Sequence, residues 1–252
     1  MWRERAFMVV LLLLVRKIHG GCPSSSCGQI TNINYPFRFK GDPEECGEKR
    51  YELGCENNVT VLYLYFAKYH VQAINYKNYT VRVVDPALQH HNLSSLPLRF
   101  LSRSNFSDTY THYNYSSFYN RDPYQAGLHG LYNWESLSFE HIVFVNCKDW
   151  VREKGKYVES GERVKWEGKG HAYTIVGDLK AEDLEVGCEV KLVAPTSLST
   201  FDNHSYTSIH TALNYGFEIS WIQQACWKHC SFSNRDCYFD SSNQKLKCEY
   251  GE

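Results

Sequence analysis

Val59-Thr-Val-Leu-Tyr-Leu-Tyr-Phe66, Tyr69-His-Val-Gln-Ala-Ile-Asn-Tyr76 and Tyr79-Thr-Val-Arg-Val-Val84 decide the fold class. These runs are overwhelmingly β-branched or aromatic, and the residues from Asn75 to Asn78 supply a turn, so they read as three successive strands. The rings of Tyr63, Tyr65 and Phe66 are assigned to the sheet core. A second set of strands begins at His141-Ile-Val-Phe-Val-Asn146 and resumes at His171-Ala-Tyr-Thr-Ile-Val176, Cys188-Glu-Val-Lys-Leu-Val193 and Gly216-Phe-Glu-Ile-Ser-Trp221. The last alternates, with Phe217, Ile219 and Trp221 on one face. Between Ser205 and Asn214, Ile209 and Leu213 recur at helical spacing behind Ser and Thr caps, giving one short helix. No internal repeat and no βαβ alternation appears. The expected fold is mainly β and disulfide-rich: two small β-sheet units with one short helix, divided as residues 21–130 and 131–252. Residues 102–122 are rich in Ser, Asn, Thr and Tyr and read as a long exposed loop.

Composition selects the compartment. The 252 residues include ten cysteines, nineteen tyrosines and only two methionines, a usage that points to an oxidised, sheet-rich exterior protein. Residues 1–20 carry Arg3 and Arg5, an apolar run from Ala6 to Val15 and then Gly20 and Gly21, the layout of a secretory signal peptide cleaved near Gly20. No later apolar run reaches membrane length and no hydrophobic tail follows Cys248, so no membrane span is expected in this chain. The formal net charge is −1; loss of Arg3, Glu4, Arg5, Arg16 and Lys17 with the signal leaves −4, which gives no reason to expect nucleic acid. Six Asn-x-Ser/Thr sequons, at Asn58, Asn78, Asn92, Asn105, Asn114 and Asn203, predict a glycoprotein.

The cysteines fall into two clusters, Cys22, Cys27, Cys46 and Cys55 near the start and Cys226, Cys230, Cys237 and Cys248 near the end, and pairing is expected within each. Catalytic signatures such as G-x-S-x-G and H-E-x-x-H are missing, so no enzyme and no cofactor are expected. Trp166-Glu-Gly-Lys-Gly170 begins like a phosphate loop but lacks its later Lys-Ser/Thr and reads as a turn. Cys226-Trp-Lys-His229-Cys230 offers zinc-type ligands, yet zinc needs thiolates and an exported chain favours disulfides. His90-His91 reads as solvated surface. No metal site is assigned.

Four pieces carry a resemblance: Cys22-Pro-Ser-Ser-Ser-Cys27-Gly28, Ile33-Asn-Tyr-Pro-Phe-Arg38, Asp42-Pro-Glu-Glu-Cys46-Gly47 and Tyr51-Glu-Leu-Gly-Cys55. Together they resemble the galacturonan-binding domain of plant wall-associated receptor kinases. Val71-Gln-Ala-Ile-Asn-Tyr76, Arg82-Val-Val-Asp85 and Ser94-Ser-Leu-Pro97 resemble the leaf-rust-resistance subgroup of those receptor-like kinases. Val143-Phe-Val-Asn-Cys147, Gly216-Phe-Glu-Ile-Ser-Trp221 and the last four cysteines resemble the associated cysteine-rich C-terminal domain. The chain departs from the pattern at Leu93 and within Glu159-Ser-Gly-Glu-Arg163, where members carry cysteines. That paired loss leaves Cys147 and Cys188 as each other's implied partner.

The resemblance implies an extracellular or cell-wall module that binds pectin or oligogalacturonide and is linked to surface or immune signalling, membrane-attached where the chain is the front of a receptor-like kinase. Galacturonan carries a carboxylate on each sugar, so cations flanked by rings are the expected contacts. Arg38 and Arg50 are placed first, with Tyr35, Phe37, Lys40 and Lys49 beside them. Two fallback sites are the basic stretch of residues 148–169 and the aromatic loop holding Tyr110, Tyr113, Tyr115, Phe118, Tyr119 and Tyr124. The alternative is a glycosylated ectodomain that recognises a receptor or other extracellular protein and no polysaccharide.

Overall fold

A computed structural model describes residues 22–106, 123–129, 134–136, 139–152, 155–161, 164, 166, 170–230, 235–240 and 242–250. The expected signal peptide, most of the 102–122 loop and Asn114 lie outside the described residues.

The chain builds a short ribbon from β1 (Ser25–Cys27) and β2 (Ile30–Ile33), then β3 (Arg38–Phe39), β4 (Glu52–Glu56), β5 (Val59–Leu64), β6 (Ala67–Asn75) and β7 (Thr80–Val84). The three runs that opened the sequence reading are β5, β6 and β7, paired antiparallel through short turns. The side chain of Asn75 closes the last turn, its Oδ1 accepting the backbone N–H of Lys77 at 2.9 Å. A second ribbon of β8 (Gly127–His129) and β9 (Trp134–Ser136) leads into β10 (Glu140–Cys147), β11 (Val158–Glu159), β12 (His171–Val176) and β13 (Cys188–Thr196). Helix α1 (Tyr206–Tyr215), strand β14 (Phe217–Ser220), helix α2 (Ile222–His229) and the ribbon of β15 (Arg235–Asp240) with β16 (Lys245–Tyr250) complete the described chain.

Two sheets organise these elements: a six-stranded one ordered β14-β7-β6-β5-β4-β3 and a four-stranded one ordered β11-β12-β10-β13. The protein is mainly β and disulfide-rich, with α1 where helical spacing placed a helix. Two features correct the one-helix, two-set reading. A second helix, α2, follows Trp221, and β14 joins the first sheet rather than the second, pairing Phe217 with Val83 and Ile219 with Val81. Phe217, Ile219 and Trp221 do share one buried face, and with Cys226, Cys230 and Phe239 they enter the same core as Ile33, Phe37 and Leu62. Leu246 joins them there, so residues from late in the sequence complete the core begun by the N-terminal strands.

Gly216 makes that return possible. Its φ of 86° suits glycine, and an added Cβ would lie 2.1 Å from the Val83 carbonyl oxygen, so only a residue without a side chain lets β14 turn out of α1 onto β7.

The rings of Tyr63, Tyr65 and Phe66 require a further correction. Leu62 and Leu64 take the buried face of β5, which by the period-two rule sends Tyr63 outward, and Tyr65 and Phe66 form the β5–β6 turn; all three rings are exposed.

Around the four-stranded sheet, Ile142 and Phe144 of β10 face α1 and pack with Ile209 and Leu213, while Val143 and Val145 build the opposite face. Leu93, at one of the departures from the family pattern, packs against the first of these clusters. Disulfides join Cys22 to Cys46, Cys27 to Cys55, Cys147 to Cys188, Cys226 to Cys237 and Cys230 to Cys248. The third spans directly opposed residues of β10 and β13. Cys226 and Cys230 are thus committed as disulfides rather than thiolates.

Beneath the 88–97 segment, His210 of α1 is fully buried. Its Nε2–H donates to the Ser95 carbonyl at 3.2 Å, and its Nδ1 accepts from the Asn214 amide at 3.0 Å. Protonation would set two donors face to face at Nδ1, and burial together with the nearby His90 holds the imidazole below its usual value despite the Ser95 contact. Since the native pKa is depressed, the unfolded chain takes up a proton that the native chain refuses once pH falls below about 6.5. Stability is expected to fall on acidification from there by up to about 1.4 kcal/mol per pH unit, until the native pKa is reached. Urea titrations at pH 7.5, 6.5 and 5.5 check this; a His210→Gln protein should show a flatter profile over that interval.

Candidate functional site

The Ile33–Arg38 stretch meets the segment that runs from the end of β14 into α2. It turns through a cis Tyr35–Pro36 bond, after which Phe37 points into the protein. The Phe37 ring stands edge-on to Tyr51, Tyr76 and Trp221, with centroids 5.9, 6.3 and 5.6 Å away. It is a core residue, placed away from any surface ligand.

Arg38 is only 7% exposed. Its Nη2 donates to Glu52 Oε2 at 3.1 Å and its Nη1 to the Asp42 carbonyl at 3.2 Å. This arginine ties parallel strands β3 and β4 and the Asp42 turn together, so its fork is occupied from within.

Tyr35 is half-buried and engaged on three sides. Its hydroxyl donates to Glu48 Oε1 at 2.9 Å and accepts from Gln224 Nε2 at 2.6 Å. Lys228 Nζ sits 3.5 Å from the ring centroid, a cation–π contact. Gln224 and Lys228 are four residues apart on α2, so one face of that helix brings both onto the ring. The sequence alone does not place them there: it assigns no helix to α2, and Tyr35 is 189 residues from Gln224.

Lys40 and Lys49 are exposed and Arg50 is half-buried. Burial drives the neighbouring Tyr51 phenol well above its usual range, with the Arg50 charge opposing that rise. Five acids share the region, yet three of them are used internally. Asp42 accepts from the Ser25 hydroxyl and the Phe39 N–H, both at 2.8 Å, Glu48 accepts from Tyr35, and Glu52 pairs with Arg38. Glu44 and Glu45 remain on the surface. Asp42 and Glu48 accept from neutral donors and keep their charge, so Lys40, Lys49, Arg50 and Lys228 stand against Glu44 and Glu45 on the surface and Asp42 and Glu48 half-buried beside them; the exposed cations are local features and not a net excess of positive charge.

The fallback sites divide differently. Tyr110, Tyr113, Tyr115, Phe118 and Tyr119 lie outside the described residues, while Tyr124 is buried, its ring 5.2 Å from that of Tyr51. Tyr124 is thereby moved from a surface loop to the core. Within 148–169, Lys148, Arg152 and Lys156 are described, and Lys156 pairs with Asp183 at 2.8 Å. Among the described residues, no group of three His, Cys, Asp or Glu side chains is arranged to hold a metal ion. No helix among them is long and apolar enough to cross a membrane.

Two family models match this chain. The wall-associated receptor kinase galacturonan-binding model takes residues 22–85, and the wall-associated receptor kinase C-terminal model takes residues 156–252. The first match ends just after β7, and the second supplies β14, which pairs with β7. The matched regions thus meet in one sheet, and Phe217, Ile219, Trp221 and Ile222 of the second enter the core of the first. The leaf rust 10 disease-resistance locus receptor-like protein kinase-like 2.1 of Arabidopsis thaliana is 23% identical over 239 residues, covering 90% of this chain. The chain spans about a third of that relative's length, 33%. No solved structure matches. The paired family matches, with the relative that covers most of the chain, show that the chain belongs to the wall-associated receptor kinase ectodomain family.

Proposed function

We propose that the chain is an extracellular polysaccharide-binding module that takes galacturonan, the acidic backbone of pectin, at the surface formed by Tyr35, Lys40, Lys49, Arg50 and Lys228. The observation that carries this reading is the Lys228–Tyr35 pair. It sets a cation on a ring within the stretch that matches the galacturonan-binding model, with further cations on the same segment. The Tyr35 ring positions the Lys228 ammonium by taking it on one face, and the exposed cations suit uronate carboxylates. A secretory route is supported by the leader-like residues 1–20 and by Asn58, Asn92, Asn105 and Asn203, which are sequons on exposed positions. The name of the Arabidopsis relative supports placement at the front of a disease-resistance receptor.

Retention on demethylated pectin at low salt tests the reading. It should fall steeply as salt rises and be much weaker on fully methyl-esterified pectin, which offers these lysines no carboxylate. Lys40→Glu, Lys49→Glu and Lys228→Glu combined should weaken binding of acidic oligogalacturonide by at least about tenfold, while the melting midpoint moves little, because all three side chains are on the surface. Equal retention of wild type and triple variant would remove this surface as the site. A second reading, recognition of an extracellular protein, is favoured by the exposed apolar side chains of Leu98, Phe100 and Trp150. Capture of one defined protein without pectin retention would support it.

A further inference from the structure

The β4–β5 and β5–β6 hairpins both turn through two left-handed residues. In the first these are Asn57 and Asn58, with φ of 49° and 61°; in the second they are Tyr65 and Phe66, with φ of 49° and 65°. Asparagine is well suited to such a turn, whereas bulky aromatic residues are strongly disfavoured there. Tyr65 is held in place, its ring edge-on to Phe106 at 5.6 Å and its hydroxyl bonded to the Asn105 carbonyl. Phe66 has no such explanation, since its side chain is fully exposed, at 103%. A strained turn that displays a ring the fold does not use points to a contact outside the fold.

Tyr63, two residues before the turn, projects from the outer face of the same hairpin and is 58% exposed. Its hydroxyl donates to Glu56 Oε1, and Lys68, directly opposite on β6, donates to Glu56 Oε2 at 3.0 Å. The Tyr63 contact, with Lys68, holds the Glu56 carboxyl below its usual range. Beneath the ring, β4 carries Gly54, where an added Cβ would lie 2.7 Å from Val61 Cγ2 and 3.6 Å from Tyr63 Cε2. The missing side chain lets the edge of the ring reach over β4. The result is an outward aromatic platform, oriented by one hydrogen bond and bordered by a carboxylate and an ammonium.

We propose that the β5–β6 hairpin is a saccharide-stacking subsite in which the Tyr63 ring takes the C–H face of a pyranose, Glu56 and Lys68 take its hydroxyls, and Phe66 meets the continuing chain. An exposed ring alone suits any apolar partner. A ring bordered by a fixed donor and acceptor suits a sugar, whose apolar face is rimmed with hydroxyls. Glu56 and Lys68 neutralise each other, so this contact is indifferent to uronate charge, unlike the exposed lysines Lys40, Lys49 and Lys228. The inference rests on the polysaccharide reading for its polymer and adds an uncharged contact to it.

The test is titration of the full folded chain with an oligogalacturonide and with its fully methyl-esterified form, for wild type, Tyr63→Ala, Phe66→Gly and the Lys40/Lys49/Lys228 triple variant. Tyr63→Ala and Phe66→Gly should each weaken both ligands by about three- to tenfold, with little dependence on salt. Phe66→Gly should also raise the melting midpoint, because glycine suits the left-handed turn, so its weaker binding is not misfolding. Unchanged affinity of both hairpin variants for both ligands would overturn the subsite; if the triple variant alone lost the acid, the galacturonan reading would stand without it. Equal wild-type affinity for acid and ester, lost in the hairpin variants, would keep the subsite and remove the charge-based reading. Wild-type binding to neither ligand overturns both.

Discussion

Replacing Trp221 with alanine is expected to destabilise the protein by about 3–5 kcal/mol, a large share of the roughly 5–15 kcal/mol that holds a domain together. The indole is 4% exposed and stands edge-on to Phe37, Tyr76 and Tyr79, at 5.6, 5.7 and 5.1 Å. These rings come from the matched N-terminal stretch, from the end of β6 and from its turn, whereas Trp221 comes from the far end of the chain. Its backbone N–H also donates to the Tyr79 carbonyl at 2.8 Å, fixing where β14 ends and α2 starts. The indole Nε1 is buried with no hydrogen-bond partner among the described residues, so the contribution of the ring is apolar packing. Trp221→Phe, which keeps a ring and loses no bonded polar atom, should be milder, at about 1–3 kcal/mol. Urea unfolding with the disulfides intact measures both variants. A loss under about 1 kcal/mol for the alanine variant would show that the ring cluster does not join the two ends.

The sheet-forming runs were legible because period two and β-branched composition act locally. The same rule places Tyr63 outside, since Leu62 and Leu64 flank it and take the inner face, whereas aromatic content taken alone points to the core. Helix α2 also left a trace, since Ile222, Ala225 and Cys226 recur at helical spacing and are buried together. The assignment of β14 to the first sheet left none. Alternation announces a strand without naming its partner, and the pairing of Ile219 with Val81 is fixed by packing between residues far apart in sequence. The candidate site shows the same limit. Tyr35 and the basic residues beside it were legible as a cluster, but nothing local distinguishes the exposed Lys49 from the inward Arg38, or brings Lys228 onto Tyr35.

That distinction has a measurable consequence. Arg38→Ala is expected to destabilise the fold by about 2–4 kcal/mol, because it removes one member of a charge-assisted pair and leaves Glu52 and the Asp42 carbonyl without their donor. The effect stays below that of a fully enclosed pair, since the Glu52 side chain retains 29% exposure and can be hydrated. Arg38→Lys should recover only part, because a single ammonium cannot span the Glu52 carboxylate and the Asp42 carbonyl as the guanidinium fork does. Lys49→Ala, by contrast, should shift stability by less than about 0.5 kcal/mol. Pairing each variant's denaturation curve with its pectin retention separates structural from ligand roles. Retention that falls for Arg38→Ala only in proportion to its unfolded fraction, and falls for Lys49→Ala in a fully folded protein, assigns Arg38 to the frame and Lys49 to the binding surface. A stable Arg38→Ala protein with weakened retention would instead turn the guanidinium outward and return it to the site.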